Sequence, residues 1–213
     1  LSWSIYYSFS DKITTSVTFQ SLLASGYSIL VNLRQMIVSG LLKQARFIES
    51  PHYNERPDAD DISLLVIHNI SLPPGNFSSN YVEKFFQGQL EPASDPYFQK
   101  IADLQVSAHL YIRRRGEIIQ FVPFQKRAWH AGVSNFKGRE NCNDFSIGIE
   151  LEGTDELEYT DEQYDALIEV TRYLQQKYPK ITNGRIVGHC DIAPQRKTDP
   201  GESFDWTRYL DSL

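Results

Sequence analysis

Residues 188–201 read GHCDIAPQRKTDPG, and within that run stand His189, Cys190, Asp191, Lys197 and Asp199. Imidazole, thiolate and carboxylate groups all ligate metals, and a lysine ammonium can stabilise developing negative charge. A catalytic zinc wants three protein ligands and leaves a fourth position open. Adjacent side chains on an extended segment point to opposite sides, so if His189 faces a site, Cys190 faces away. Asp199 follows a loop tightened by Pro194 and Pro200, which lets the chain fold back toward His189. The chain has five histidines, His52, His68, His109, His130 and His189, of which His68 could complete a ligand trio. Spacing alone leaves other readings open. A single histidine on an apolar strand is more often a satisfied structural residue, and Asp199-Pro200-Gly201 also spells a turn. Cys190 reads best as a small buried hydrophobe.

Elements outside this run must supply the partners. ISLLVIHNI, residues 62–70, is a continuous apolar run followed by SLPPG, which predicts a fully buried strand entering a loop. His68 then lies at or near the strand's C-terminal end, where α/β proteins commonly place sites. FSIGIELEG, 145–153, predicts a further strand, with Gly148 placed for close backbone approach and Glu150 and Glu152 on one face. VSAHLYI and EIIQFVPF flank RRRG as a β-hairpin with Gly116 in the turn. GRIVGH returns as a short strand into the opening loop. The clearest helix spans about 160–178: Thr160 and Gln163 form a capping-box pattern, and Tyr164, Leu167, Ile168, Thr171 and Leu174 share a face. Shorter helices are expected in SSNYVEKFFQG, ended by Gly88, and in SDPYFQKIADL from about Ser94. A last one is expected in FDWTRYLDSL, docking Phe204, Trp206 and Leu210. The interleaving predicts a single α/β domain with a central mixed β-sheet flanked by helices.

A chain of 213 residues supports one sizeable core. Its net charge of −6 carries no nucleic-acid footprint, and no run of about 18 apolar residues suggests a membrane span. Cys142 and Cys190 form no disulfide framework and fit a reducing compartment. Residues 1–35 are rich in Ser, Thr and aromatics, lack the layout of a signal peptide, and precede the chain's single methionine, Met36. The expectation is a non-matching N-terminal extension over 1–35, not part of the native protein, and a functional domain over 36–213.

The blocks VIHNISLPPG, VSAHLYIRRRGEIIQFVPFQKRAWHAGVS, CNDFSIGIELEGTD and GHCDIAPQRKTDPG, in this order, resemble the AmpD-type N-acetylmuramoyl-L-alanine amidases of the type 2 amidase and peptidoglycan-recognition fold. The resemblance runs from about Ala45 to Trp206. It implies one zinc ion (Zn2+) held by His68, His189 and Asp199, with Glu150 and Lys197 as catalytic residues. Related phage-type enzymes use Cys where this chain has Asp199, and a Tyr where it has Ala108, so the acid/base work falls to Glu150, with Glu152 its rival. It also implies a muropeptide substrate, the 1,6-anhydromuramoyl peptide of cell-wall recycling, cleaved between muramic acid and L-alanine in the bacterial cytoplasm. The alternatives are a non-catalytic peptidoglycan-binding module and a periplasmic amidase acting on intact murein. Asn69, His109, Trp129, His130 and Arg139 are candidate substrate contacts. Trp129 fits a core position equally well, Arg139 a surface charge, and His109 and His130 places behind the ligands that support them.

Overall fold

The computed structural model describes residues 40–213; the expected 1–35 extension and the boundary at Met36 lie outside the described residues. Strand β3 (Leu64–Ile70) lies between β9 (Ser146–Glu152) and β10 (Ile186–Gly188), parallel to both. On the far side of β9 lies β4 (Leu110–Ile112), parallel to it, then antiparallel β5 (Ile118–Gln120) and the edge strand β1 (Arg46–Phe47). These six strands form the mixed sheet expected from the interleaved pattern, and two antiparallel ribbons pair β2 (Tyr53–Glu55) with β6 (Lys126–Ala128) and β7 (Asn135–Phe136) with β8 (Arg139–Glu140).

Side-chain alternation sorts the two faces of the sheet. Leu65 and Ile67 of β3 and Ile147, Ile149 and Leu151 of β9 join one core cluster. It is covered by helix α2 (Asp161–Lys177), which contributes Leu167, Val170 and Leu174. The opposite face of β9 carries Ser146, Gly148, Glu150 and Glu152, small or polar residues on a strand that is buried throughout. A strand face with no apolar side chains offers room and polar atoms, and Glu150 of that face lines the cleft.

Local chemistry fixes the supporting elements. The Thr160 side chain accepts the Gln163 N–H, and the Gln163 side chain accepts the Thr160 N–H, an arrangement that contributes ~1 kcal/mol to the start of α2. The hairpin turn closes with Gly116 N–H donating to the Arg113 carbonyl at 2.8 Å. Gly116 has φ +76°, and a Cβ there would sit 2.9 Å from the Glu162 carbonyl oxygen. Helix α1 (Tyr81–Phe86) is short, with Gly88 beyond its end, and α4 (Trp206–Asp211) docks as expected with Phe204 buried.

Two expectations differ. The segment from Ser94 is no helix but two 3-10 turns, Pro92–Ser94 and Phe98–Lys100, split by an extended Asp95. Pro96 disfavours helical geometry at Asp95, whose carboxylate instead accepts the Tyr97 N–H at 2.8 Å. The chain at His189 is not extended either: it turns at once into α3 (His189–Ile192), with the Asp191 carboxylate accepting the Gly188 N–H at 2.7 Å.

Candidate metal and catalytic site

Parallel pairing of β3 with β9 places His68 directly opposite Glu150, with both side chains on the polar face. From the next strand, β10 delivers His189 into the same space, and the loop after α3 folds back so that the Cys190 N–H donates to the Asp199 carbonyl at 3.0 Å. The Tyr159 hydroxyl pins the end of that loop, donating to the Pro200 carbonyl at 2.7 Å. His68, His189 and Asp199 meet as a result. The two Nδ1 atoms lie 3.0 Å apart, and Asp199 Oδ2 lies 3.0 Å from one and 3.1 Å from the other. Cys190 is not in the cluster.

The donor set fits a zinc ion. His189 Nε2 lies 3.1 Å from the Ala131 carbonyl, which only accepts, so Nε2 carries the proton and Nδ1 presents a lone pair. Burial pushes the His68 imidazole down to about 4, against the pull of its hydrogen bond to Asp199, which favours its neutral form. Burial opposes ionisation of Asp199, yet its hydrogen bonds with His189 and His68 hold the carboxyl well below the usual carboxylate range. His68 Nδ1, His189 Nδ1 and Asp199 Oδ2 converge on one point, and two imidazoles with one carboxylate are the ligand types a tetrahedral zinc takes.

Glu150 is 9% exposed, and its Oε2 reaches no hydrogen-bond partner. Burial pushes its carboxyl well above the usual range, the Asp199 charge adds to the shift, and Lys197 opposes it. Glu152 has the opposite character. Its two oxygens accept the backbone N–H groups of Ser78, at 3.0 Å, and Arg114, at 2.9 Å, so it ties loops to the sheet. One strand thus carries two carboxylates, only one of them uncommitted.

The ligand trio, Glu150 and Lys197 line one open cleft of about 600 Å³. Asn69, Trp129 and His130 line it as well. The Asn69 amide donates to Asp155 at 2.8 Å, and the Trp129 indole stacks on His52 and donates to Asn54 at 2.7 Å. Two expected contacts fall elsewhere. His109 is fully buried beside β9, its Nδ1 accepting the Gly148 N–H at 3.0 Å, and it does not line the cleft. Arg139 lies outside the lining, paired with Asp61 at 2.5 Å and stacked over Phe145. Sequence reasoning passed over Asp155, Asn143 and Ser146, polar residues whose partners are distant in the chain. Only the density of polar residues in CNDFS and EGTD hinted at them. Among the described residues no helix is long and apolar enough to cross a membrane.

A family model described as N-acetylmuramoyl-L-alanine amidase matches residues 58–202. Over 177 residues the chain is 60% identical to the 1,6-anhydro-N-acetylmuramyl-L-alanine amidase AmpD of Haemophilus influenzae, an alignment covering 83% of this chain and 96% of that protein. Among solved structures, that of a Se-Met AmpD derivative superimposes with a TM-score of 0.80 at 59% identity, covering 82% of this chain and 97% of the other. The N-acetylmuramyl-L-alanine amidase AmiD from E. coli, solved with the substrate anhydro-N-acetylmuramic acid-L-Ala-D-gamma-Glu-L-Lys, gives a TM-score of 0.54 at 31% identity. That alignment covers 71% of this chain and 57% of the other.

Proposed function

This chain belongs to the N-acetylmuramoyl-L-alanine amidase family, and from that premise we propose a zinc-dependent reaction carried by His68, His189, Asp199, Glu150 and Lys197. The enzyme hydrolyses the amide between 1,6-anhydro-N-acetylmuramic acid and the L-alanine of the stem peptide, in cell-wall recycling. Its substrate is a muropeptide, and the free state of both cysteines supports the cytoplasm as its location. The domain we assign to this work is 36–213.

The observation that carries the reading is the convergence of three lone-pair donors beside a buried carboxyl with an uncommitted oxygen. When bound, zinc supplies Lewis acidity, lowering the pKa of water to about 7 and polarising a carbonyl. His68, His189 and Asp199 would hold it. Glu150, across the β3–β9 pair from His68, accepts the proton of the attacking water and returns it to the leaving amine. Its carboxyl, raised by burial, holds a proton more tightly than an exposed carboxylate does, which suits a group that must take the proton from water before passing it on. Lys197, two residues before Asp199, offers its ammonium to the oxyanion that develops on the scissile carbonyl, a contribution of ~3 kcal/mol. Asn69 and Trp129 form cleft wall on which the muropeptide can be oriented.

The test pairs metal content with hydrolysis of anhydromuramoyl-tripeptide and of intact murein. The expected result is one zinc per chain, hydrolysis of the tripeptide in preference to murein, and loss of both metal and activity in Asp199→Ala. Wild-type rates in Asp199→Ala, or a wild-type protein with no stoichiometric metal, would sink the mechanism.

A further inference from the structure

Both ligand imidazoles lean on the same two consecutive residues. On the side away from the ligand cluster, His68 Nε2 lies 2.9 Å from the His130 Nδ1, and His189 Nε2 lies 3.1 Å from the Ala131 carbonyl. The His130–Ala131 dipeptide is itself held. The buried Asn143 side-chain oxygen accepts the N–H of His130 at 3.1 Å and of Ala131 at 2.8 Å. Arg196 donates to the Ala131 carbonyl at 2.7 Å. The His130 ring lies over Gly148 of β9, where a Cβ would approach its Cγ to 2.5 Å. Its far nitrogen, Nε2, lies 3.0 Å from the fully buried Ser146 hydroxyl.

We propose that His130 is a positioning residue that fixes the ring orientation of His68 and accepts its Nε2–H in the metal-binding tautomer, the part that the Ala131 carbonyl plays for His189. The proposal rests on the zinc reading of His68, His189 and Asp199. The row Ser146–His130–His68 has two self-consistent proton arrangements, because a hydroxyl and a neutral imidazole can each donate or accept. If Ser146 donates to His130 Nε2, then His130 Nδ1–H donates to His68 Nε2, and the His68 proton sits on Nδ1, aimed at Asp199. In the reverse order His68 Nε2–H donates to His130 Nδ1, His130 Nε2–H donates to Ser146, and His68 Nδ1 is a free lone pair. Only the second order permits a metal at Nδ1. His130 accommodates it because its Nδ1 accepts while its Nε2–H finds Ser146. Gly148 is required for the ring to lie where both contacts are made.

His130→Phe keeps the bulk of the ring and removes both nitrogens. His130→Asn can return an acceptor oxygen near the Nδ1 position, and Ser146→Ala removes only the last partner of the row. The probe is zinc itself, with affinity read by competition against a chelator and His68 ring protonation read by 15N chemical shifts in the zinc-loaded protein. His130→Phe is expected to weaken zinc ~10- to 100-fold, with His130→Asn recovering most of the loss and Ser146→Ala losing several-fold. Unchanged affinity in both His130→Phe and Ser146→Ala, with His68 Nε2 still protonated, overturns the proposal while leaving the zinc reading intact. Should His130→Phe not fold, Ser146→Ala decides on the same criterion. Retention of zinc by His68→Ala overturns the zinc reading and this proposal with it.

Discussion

The site has a strand half and a loop half, and they are built differently. His68 and Glu150 sit on β3 and β9, neighbours paired from Leu64 opposite Ser146 to Ile70 opposite Glu152. His189, Lys197 and Asp199 sit on a helical turn and the loop after it. That loop is held by separate contacts: Asp191 to the Gly188 N–H, Cys190 N–H to the Asp199 carbonyl, and Tyr159 to the Pro200 carbonyl. The backbone ladder places the first half whatever most of its side chains are. The second half depends on individual hydrogen bonds contributing ~1 kcal/mol each. The proposed base and one proposed ligand sit on the ladder, and the two other proposed ligands, His189 and Asp199, arrive on a tethered segment.

The contrast can be broken most strongly from the strand side. Glu150→Gln keeps the shape and the ladder, so zinc content should be unchanged while kcat falls by ~10²–10⁴-fold. Undiminished turnover would move the base elsewhere and remove the main reason for placing it on a strand. On the loop side, Lys197→Ala should lower kcat by ~10²–10³-fold with KM little altered, as expected of a contact made chiefly in the transition state. A change confined to KM would make Lys197 a substrate-binding residue instead.

Acid should find the strand half through His109, which lies fully buried beside Gly148. Burial and the neighbouring Arg56 charge hold its pKa well below the usual histidine range. Below pH ~6.5 the unfolded chain therefore binds a proton at this residue that the folded chain does not, and stability falls as pH drops. The contribution is ~1.4 kcal/mol per pH unit across that window, and it is absent above it. Urea midpoints measured from pH 7 to 5 should fall less steeply in His109→Gln than in the wild type. Equal slopes would mean that His109 is not held neutral.

The smallest effect sharpens the picture of the tether. Tyr159→Phe removes one hydrogen bond to the Pro200 carbonyl, so stability should drop by ~1 kcal/mol and zinc should bind a few-fold more weakly. The same loss in stability with unaltered zinc affinity would show that Asp199 is placed without this contact.

What could be read from the chain follows the same division. The strand half was legible because its signals are local: the apolar run ending in His68, the alternation of Ser146-Ile147-Gly148-Ile149-Glu150 and the Thr160–Gln163 capping box each lie within a few residues. The close approach expected at Gly148 is real, but the group that approaches it, the His130 ring, could not be named from the chain. The loop half owes its ligand assignments to the resemblance, since periodicity says nothing of where a turn-rich run goes. There the extended geometry expected around His189 was displaced by a capped helical turn, yet Cys190 still stays out of the ligand cluster. His109 stayed open between a substrate contact and a place behind the ligands for a related reason. A histidine next to a strand has the same local pattern whether its ring enters a cleft or satisfies a backbone N–H of the neighbouring strand.

The register of β3 against β9 also separates distance along the chain from distance in the site. Residues 71–145 run between these strands, through loops, 3-10 turns and the hairpin. Lengthening such an exposed loop, for example around Leu104, costs little, because doubling a loop adds only ~0.6 kcal/mol of closure entropy. Removing a single residue inside β9 before Glu150 would turn that carboxyl onto the face covered by α2 and bring an apolar side chain to the cleft. Length change across generations of this gene should therefore accumulate between the two strands and be purged from within them. The hydrogen-bond ladder acts as the gauge that keeps His68 and Glu150 opposite each other while the connecting chain grows or shrinks.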